Sequence, residues 1–305
     1  MATPPIVALV GATASGKTGL SLDLAEALGG EVVNTDAMQV YRGMDIGTAK
    51  VPLAERRGIA HHLLDLLSVR EPLSVARFQE QARETAARLR AAGTVPVLVG
   101  GSALYTRAVL DRFDFPGTDE VVRARWEAEL ASVGAEALHA RLALVDPVAA
   151  AKMSPGNGRR VVRALEVIEL TGRPYAASLP ALEYADPATV QVGLSIDRPT
   201  LDRRISQRVD EMFDRGLVAE VERLLDEGLA EGPTASRAIG YREVMAHLAG
   251  ELTLAEARER TFIATRRFSR RQDSWFTKDP RIVWVPFDAP DRVEQALAAV
   301  RRTTS

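Results

Sequence analysis

Cysteine is missing from all 305 residues. That excludes disulfides and any thiolate zinc site, and it points to a reducing, cytoplasmic setting. No apolar stretch approaches the ~20 residues that span a bilayer, so a membrane protein is not expected. The segment Met1 to Pro5 lacks a basic region, and the apolar run Ile6 to Val10 is too short for a signal-peptide core. Internal repeats and low-complexity linkers are also missing. Charge of one sign is not in excess: 39 Lys and Arg face 41 Asp and Glu, a net charge of −2. A uniformly basic nucleic-acid coat is therefore excluded, and any RNA contact must use local patches. What is present is ordinary for a folded chain, with 46% apolar and 26% charged residues. The length suits one large or two smaller domains.

The apolar pattern alternates between strands and helices. Ile6 to Val10 reads as a buried strand. Leu20, Leu24, Ala25 and Leu28 recur at helical spacing until Gly29-Gly30 stops them. Glu31 to Thr35 is a second strand, Arg77 to Ala92 a helix, and Val95 to Val99 a third buried strand closed by Gly100-Gly101. Such alternation predicts a parallel sheet wrapped by helices. After Phe115-Pro-Gly-Thr118 the pattern becomes wholly helical, over Val121–Ser132, Ala135–Val145 and Gly158–Leu170. Val190 to Ile196 restores a strand, and Asp197-Arg-Pro199 caps the next helix. Helices follow near Leu217–Glu227, Tyr241–Ala249 and Leu254–Phe276, and Ile282 to Val285 is a late strand. The expected architecture is an α/β core with a parallel sheet, residues 1–116 and 188–305, interrupted by an all-helical insertion, residues 117–187. Trp126, Trp275 and Trp284 are read as core residues, and His61 and His62 as structural.

Gly11-Ala-Thr-Ala-Ser-Gly16-Lys17-Thr18 fits the phosphate-loop pattern G-x-x-x-x-G-K-[ST]. It lies between a buried strand and an amphipathic helix, where the chemistry needs it. The backbone N–H groups of Gly11, Thr13, Ala14, Ser15 and Gly16 curl toward phosphate oxygens, and the helix N-terminus adds its dipole. Lys17 supplies a point charge, and the Thr18 hydroxyl suits Mg²⁺. The motif implies polyphosphate binding without implying nucleotide hydrolysis. No Asp ends the third strand. The acid that leaves a strand end is Asp36, which a parallel sheet places beside the phosphate loop. By type and position alone, Asp36 suits a turn or a helix cap equally well.

These residues and those that follow carry a family likeness. The phosphate loop, then Asn34-Thr-Asp-Ala-Met-Gln-Val-Tyr-Arg-Gly-Met-Asp-Ile-Gly-Thr-Ala-Lys50, resembles the tRNA dimethylallyltransferases, also called tRNA isopentenyltransferases. His61 to Asp65, Val97 to Tyr105, Arg160 to Glu166, Ala238 to Arg242 and Thr265 to Phe276 agree in the same order. Ala12, Thr35, Ala37 and Ser102 stand where the family more often has Pro, Ser, Ser and Thr. The resemblance implies a phosphate-loop NTPase-like fold and a transfer reaction. Dimethylallyl diphosphate and Mg²⁺ would occupy the loop. The acceptor would be N6 of the adenosine just 3′ of the anticodon, in the anticodon stem-loop of tRNA. Asp36 would be the base, Ser102 would hydrogen-bond at the reacting centre, and Arg208 would stabilise the departing diphosphate with Arg204 assisting. Ser102 also suits a plain helix N-cap. Ala37, Met38 and Gln39 would meet the flipped nucleotide or its neighbours.

Arginines concentrate in two places. Arg258, Arg260, Arg266, Arg267, Arg270, Arg271, Lys278 and Arg281 form one cluster, and Arg159, Arg160 and Arg163 another. Both suit phosphate contacts that position tRNA, although interleaved Glu256, Glu259 and Asp273 also suit a solvated helix face. Arg123, Arg237, Gly240, Tyr241 and Arg242 complete the expected RNA contacts. A monomer is expected. Two other readings share the fold: a small-molecule phosphate-loop kinase, and a non-catalytic RNA-binding NTPase. The missing acid after strand three and the arginine-bearing helical insertion speak against the kinase.

Overall fold

In a computed structural model, residues 3–113, 115–175 and 180–304 are described. Six strands form one parallel sheet: β1 (Ile6–Val10), β2 (Gly30–Asn34), β3 (His61–His62), β4 (Val95–Val99), β5 (Thr189–Ser195) and β6 (Ile282–Pro286). Their order is β3-β2-β4-β1-β5-β6. The eleven α-helices among the described residues are α1 (Lys17–Leu28), α2 (Val75–Ala91), α3 (Ala103–Leu110), α4 (Glu120–Val145), α5 (Pro147–Ala151), α6 (Gly158–Thr171), α7 (Arg198–Asp214), α8 (Leu217–Asp226), α9 (Tyr241–Leu248), α10 (Leu254–Phe276) and α11 (Arg292–Thr304). None of the described helices is long and apolar enough to cross a membrane.

The central strands β1 and β4 are apolar at nearly every position because both faces of the sheet are covered. Val7, Leu9, Val97, Val192 and Leu194 pack with Leu20 and Leu24 of α1 and Ala296 and Val300 of α11. Ala8, Val33 and Leu98 point to the other face, where α2 supplies Phe78, Ala82 and Leu89. The same core takes in Ile205, Leu217, Val221 and Tyr241 of α7, α8 and α9. Asp197 caps α7 as expected, its side chain accepting from the Thr200 amide. Helix α11 escaped the sequence reading, although Val293, Ala296, Leu297 and Val300 recur at helical spacing. So did β3, because two residues carry no alternation. Trp275 is 39% exposed, which corrects its reading as a core residue.

The chain divides into two compact units, the sheet unit and a helical unit of residues 112–183. The helical unit thus begins earlier and ends earlier than the composition change suggested. A backbone hydrogen bond from Arg112 to Glu183 (2.8 Å) joins its two ends. Residues 176–179, which fall in the expected insertion, lie outside the described residues. Inside the unit, Leu138 and Leu142 of α4 pack on Ala149 and Ala150 of α5 and Val161, Val162 and Leu165 of α6. Gly134 (φ 82°, ψ 167°) breaks α4 between the two helical segments expected there.

Glu166 of α6 is fully buried and accepts hydrogen bonds from four residues. Its carboxylate accepts from Thr118 Oγ1 (2.5 Å), the Asp119 amide (3.2 Å), Arg123 Nη2 (2.7 Å) and Arg163 Nη1 (2.8 Å). Burial opposes its charge, but the hydrogen bonds from Arg123, Thr118 and Arg163 prevail and hold the carboxyl down at about 2. The carboxylate therefore stabilises the fold fully above its unfolded value of ~4.3, and that contribution fades as pH falls toward 2. Glu166→Gln is expected to lower stability at pH 7 by ~2–3 kcal/mol in urea unfolding. The difference from the parent chain should narrow below pH ~4.3.

Candidate active site

Strand order decides which loops meet. Adjacent β2, β4 and β1 end at one edge of the sheet, so their following segments, Thr35–Gln39, Gly100–Ser102 and Gly11–Lys17, lie side by side. The approach is close. A Cβ on Gly100 would fall 2.3 Å from Thr35 Oγ1, so only glycine lets the turn after β4 pass the end of β2. These segments enclose a cavity bordered by Thr13, Lys17, Thr18, Asp36, Gln39 and Arg208. Residues from three separate stretches of the sequence thus share one space.

Lys17 folds back over its own loop, donating to the carbonyls of Gly11 (3.0 Å) and Ala12 (2.7 Å). Its pKa is lowered to about 7, first by burial and then by the charge of Arg208, with Asp36 partly compensating. Burial likewise lowers the pKa of Arg208, with Arg204 adding to the effect. The two arginines lie one turn apart on α7. Arg208 donates to Thr13 Oγ1 (3.3 Å), and Arg204 donates to the Ala14 carbonyl (2.7 Å). Three cations therefore converge on the phosphate loop. The Ser15 hydroxyl is buried there with no hydrogen-bond partner. This environment asks for an anion with several oxygens.

Asp36 is the cavity's carboxylate. Asn34 shapes its turn: the Asp36 amide donates to Asn34 Oδ1 (2.8 Å), and Asn34 Nδ2 donates to the Asp36 and Leu63 carbonyls (both 3.0 Å). Burial raises the pKa of Asp36, while the Met38 amide, at 2.9 Å from Oδ1, and the charge of Lys17 partly restrain the rise. Ser102 stands at the N-cap of α3 but makes no capping hydrogen bond. Its hydroxyl instead accepts from the Ala37 amide (3.2 Å), tying the turn after β4 to the turn that carries Asp36.

One wall is built by Gln39, whose Nε2 donates to the Thr48 carbonyl (3.0 Å). That wall is anchored from behind. Glu220 of α8 accepts from the amides of Asp45 (3.1 Å), Ile46 (2.8 Å) and Gly47 (3.2 Å) and from Tyr241 Oη (2.5 Å). Lys50, only 6% exposed, donates to Asp45 and Asp65 (both 2.6 Å) and to the Tyr41 carbonyl (3.0 Å). Sequence reasoning singled out none of Asn34, Glu220 or Lys50, although Asn34 and Lys50 end the stretch that carries the family likeness. His61 also borders the cavity and Phe268 and Gln272 reach it from α10. His62 pairs away from the cavity, with Glu31 (2.6 Å).

Several expected RNA contacts are placed otherwise. Tyr241 is fully buried with its ring against Gly47, so it is unavailable to RNA. Gly240 is buried at the start of α9, where its amide donates to Glu243 (2.9 Å). Ala37 is 7% exposed. Arg123 and Arg163 spend their guanidinium groups on buried Glu166. In the second cluster Arg258 pairs with Asp210 and Asp214, Arg266 with Asp202, and Arg281 with Asp111 and Asp279. Arg159, Arg160, Arg237, Arg242, Arg260, Arg267, Arg270 and Arg271 are exposed, and Arg242 also pairs with Glu243.

Comparison with known proteins places the chain in a family. A sequence model described as IPP transferase matches residues 39–279. The chain is 71% identical over 299 residues to a tRNA dimethylallyltransferase of Nocardioides, covering 98% of this chain and 96% of that one. It is 57% identical to a Salinispora tropica protein of the same name, covering 99% and 94%. Among solved structures, a tRNA isopentenylpyrophosphate transferase from Bacillus halodurans is 39% identical, with a TM-score of 0.72 and 98% of each chain covered. A eukaryotic dimethylallyltransferase described as acting on tRNA gives a TM-score of 0.80 at 25% identity, covering 99% of this chain and 77% of that one. With the family pattern running through most of its length, this chain belongs to the IPP transferase family.

Proposed function

We propose that this protein transfers a dimethylallyl group from dimethylallyl diphosphate to N6 of the adenosine 3′ of the anticodon in tRNA, position 37, releasing diphosphate. The observation that carries the reading is the pairing, in one cavity, of a cationic phosphate cradle with a single carboxylate of raised pKa. Membership of a prenyl-transferring family sets aside the small-molecule kinase.

The exocyclic amine of adenine is a weak nucleophile because its lone pair is delocalised into the ring. As N6 bonds to C1 of the allyl group, the C1–O bond breaks and its electron pair leaves with the diphosphate. The N6 proton passes to Asp36, whose raised pKa makes it a stronger base than an ordinary aspartate. Lys17 and Arg208 meet the charge that grows on the leaving diphosphate, and Arg204 supports the loop that holds it. Ser102 keeps the Asp36 turn in place through the Ala37 amide. Gln39 borders the cavity with Asp36 and faces the incoming base, while Met38 holds Asp36 through its amide. The adenine reaches the cavity by leaving its stack in the loop.

The residues fit Mg²⁺ held chiefly by the substrate. Thr18 is exposed at the cavity with its hydroxyl available, and no cluster of three acidic or imidazole ligands exists among the described residues. Such an ion would take Thr18, diphosphate oxygens and water as ligands and would neutralise leaving-group charge. Exposed Arg159, Arg160, Arg237 and Arg242 supply phosphate contacts that position the anticodon stem-loop. The protein works in the cytoplasm as a monomer.

The direct test incubates unmodified tRNA with dimethylallyl diphosphate and Mg²⁺, then weighs the nucleosides after digestion. An adenosine heavier by one dimethylallyl group, mapped beside the anticodon, is expected. ATP consumption without an adduct would sink the reading. Asp36→Asn keeps the acceptor for the Met38 amide, so it should retain diphosphate binding while transfer slows ~10²–10⁴-fold in single-turnover assays. Lys17 gives a pH signature. In the empty site it loses its proton above about pH 7, and a bound anion restores it. Calorimetry in buffers of different ionisation enthalpy should therefore record proton uptake when inorganic diphosphate binds at pH 8. Uptake should vanish at pH 5.5, where Lys17 is already charged.

A further inference from the structure

Gln272 is a polar residue on the buried face of an arginine-rich helix. It lies in α10 and is 3% exposed, yet both ends of its carboxamide are engaged. Oε1 accepts from the Thr13 amide (2.8 Å), and Nε2 donates to the Gly101 carbonyl (2.9 Å). A carboxamide offers an acceptor and a donor on one neutral plane, so it bridges an N–H and a C=O without adding charge. The fit is tight on the second side, where a Cβ on Gly101 would fall 2.1 Å from Nε2. Thr13 is meanwhile gripped through its hydroxyl by Arg208 of α7. Thr13, Gly101, Arg208 and Gln272 all border the same cavity.

From this arrangement we infer that Gln272 is a positioning residue for the anion site. It locks the phosphate loop to the turn after β4, so that a diphosphate meets a cradle already in shape. The inference rests on the functional reading above and adds to it the part that α10 plays in donor binding. A side chain that merely anchored α10 to the core would change stability without distinguishing one substrate from the other.

The test uses the full chain and two readouts: calorimetric binding of inorganic diphosphate with Mg²⁺, and steady-state KM for each substrate. Gln272→Met keeps the length and removes both hydrogen bonds. Diphosphate affinity should fall about tenfold, the size expected for two net hydrogen bonds. The donor KM should rise by a similar factor, with the tRNA KM unchanged. Gly101→Ala displaces the carboxamide without altering it and should give the same donor-selective defect. Should Gln272→Met fail to fold, near-isosteric Gln272→Glu serves instead. It keeps an acceptor for Thr13 but loses the donor to Gly101 and brings a negative charge, so its affinity loss should be larger. Diphosphate binding by the parent chain with unchanged affinity in the variants overturns this proposal alone. Equal losses for donor and tRNA also overturn it. No diphosphate binding by the parent chain overturns the functional reading as well.

Discussion

Two cations and one carboxylate border a small, partly dehydrated space, a third cation grips its loop, and the rest of the site follows from that imbalance. Lys17, Arg204 and Arg208 converge on one loop, and burial depresses the proton affinity of Lys17 and Arg208. Like charges this close are tolerated because backbone carbonyls of Gly11, Ala12 and Ala14 take their hydrogens. Carbonyl dipoles offset only part of the cost, so the site remains a demand for an anion. The one carboxylate, Asp36, does not cancel it. Burial pushes Asp36 toward its neutral form, which suits a proton acceptor better than a permanent counter-ion.

Holding such a site open requires a scaffold that does not relax into direct ion pairs. The parallel sheet provides it. The exits of β1, β2 and β4 are fixed by ladder register, and each loop is then pinned a second time from outside the sheet. Glu220 and Lys50 secure the segment that carries Thr48. Asn34 and Ser102 secure the turn that carries Asp36. Most of these anchors are buried polar groups with their hydrogen-bonding capacity filled, the condition under which such networks rigidify rather than destabilise. Glu166 repeats the device in the helical unit, where one buried carboxylate gathers Thr118, Arg123 and Arg163.

That last network changes how the arginine-rich segments are understood. In sequence, every arginine counts equally as a phosphate ligand. In three dimensions, Arg123, Arg163, Arg258, Arg266 and Arg281 serve carboxylates of the protein. The exposed set is smaller and includes Arg159, Arg160, Arg237, Arg267, Arg270 and Arg271. Tyr241 makes the same point for aromatics. A tyrosine after a glycine in a polar loop suggests a ligand contact, but its ring is packed against Gly47 and its hydroxyl is taken by Glu220.

Local pattern alone determined a good deal. Apolar runs located β1, β4 and β5, because strands buried on both faces leave few polar positions. The phosphate loop and Asp36 were legible because a short motif and its flanking strand are contiguous in the chain. Two-residue β3 and the partners of Lys50, Glu220 and Gln272 were not. Their meaning depends on residues up to 259 positions away, as with Gln272 and Thr13, and no local periodicity records such a pairing. Which polar residues turn inward, which arginines remain exposed, and how far burial shifts the proton affinity of Lys17 and Asp36 were decided only when the sheet closed its strand order. Hydrogen-bond partners and desolvation belong to the packed chain, not to any stretch of it.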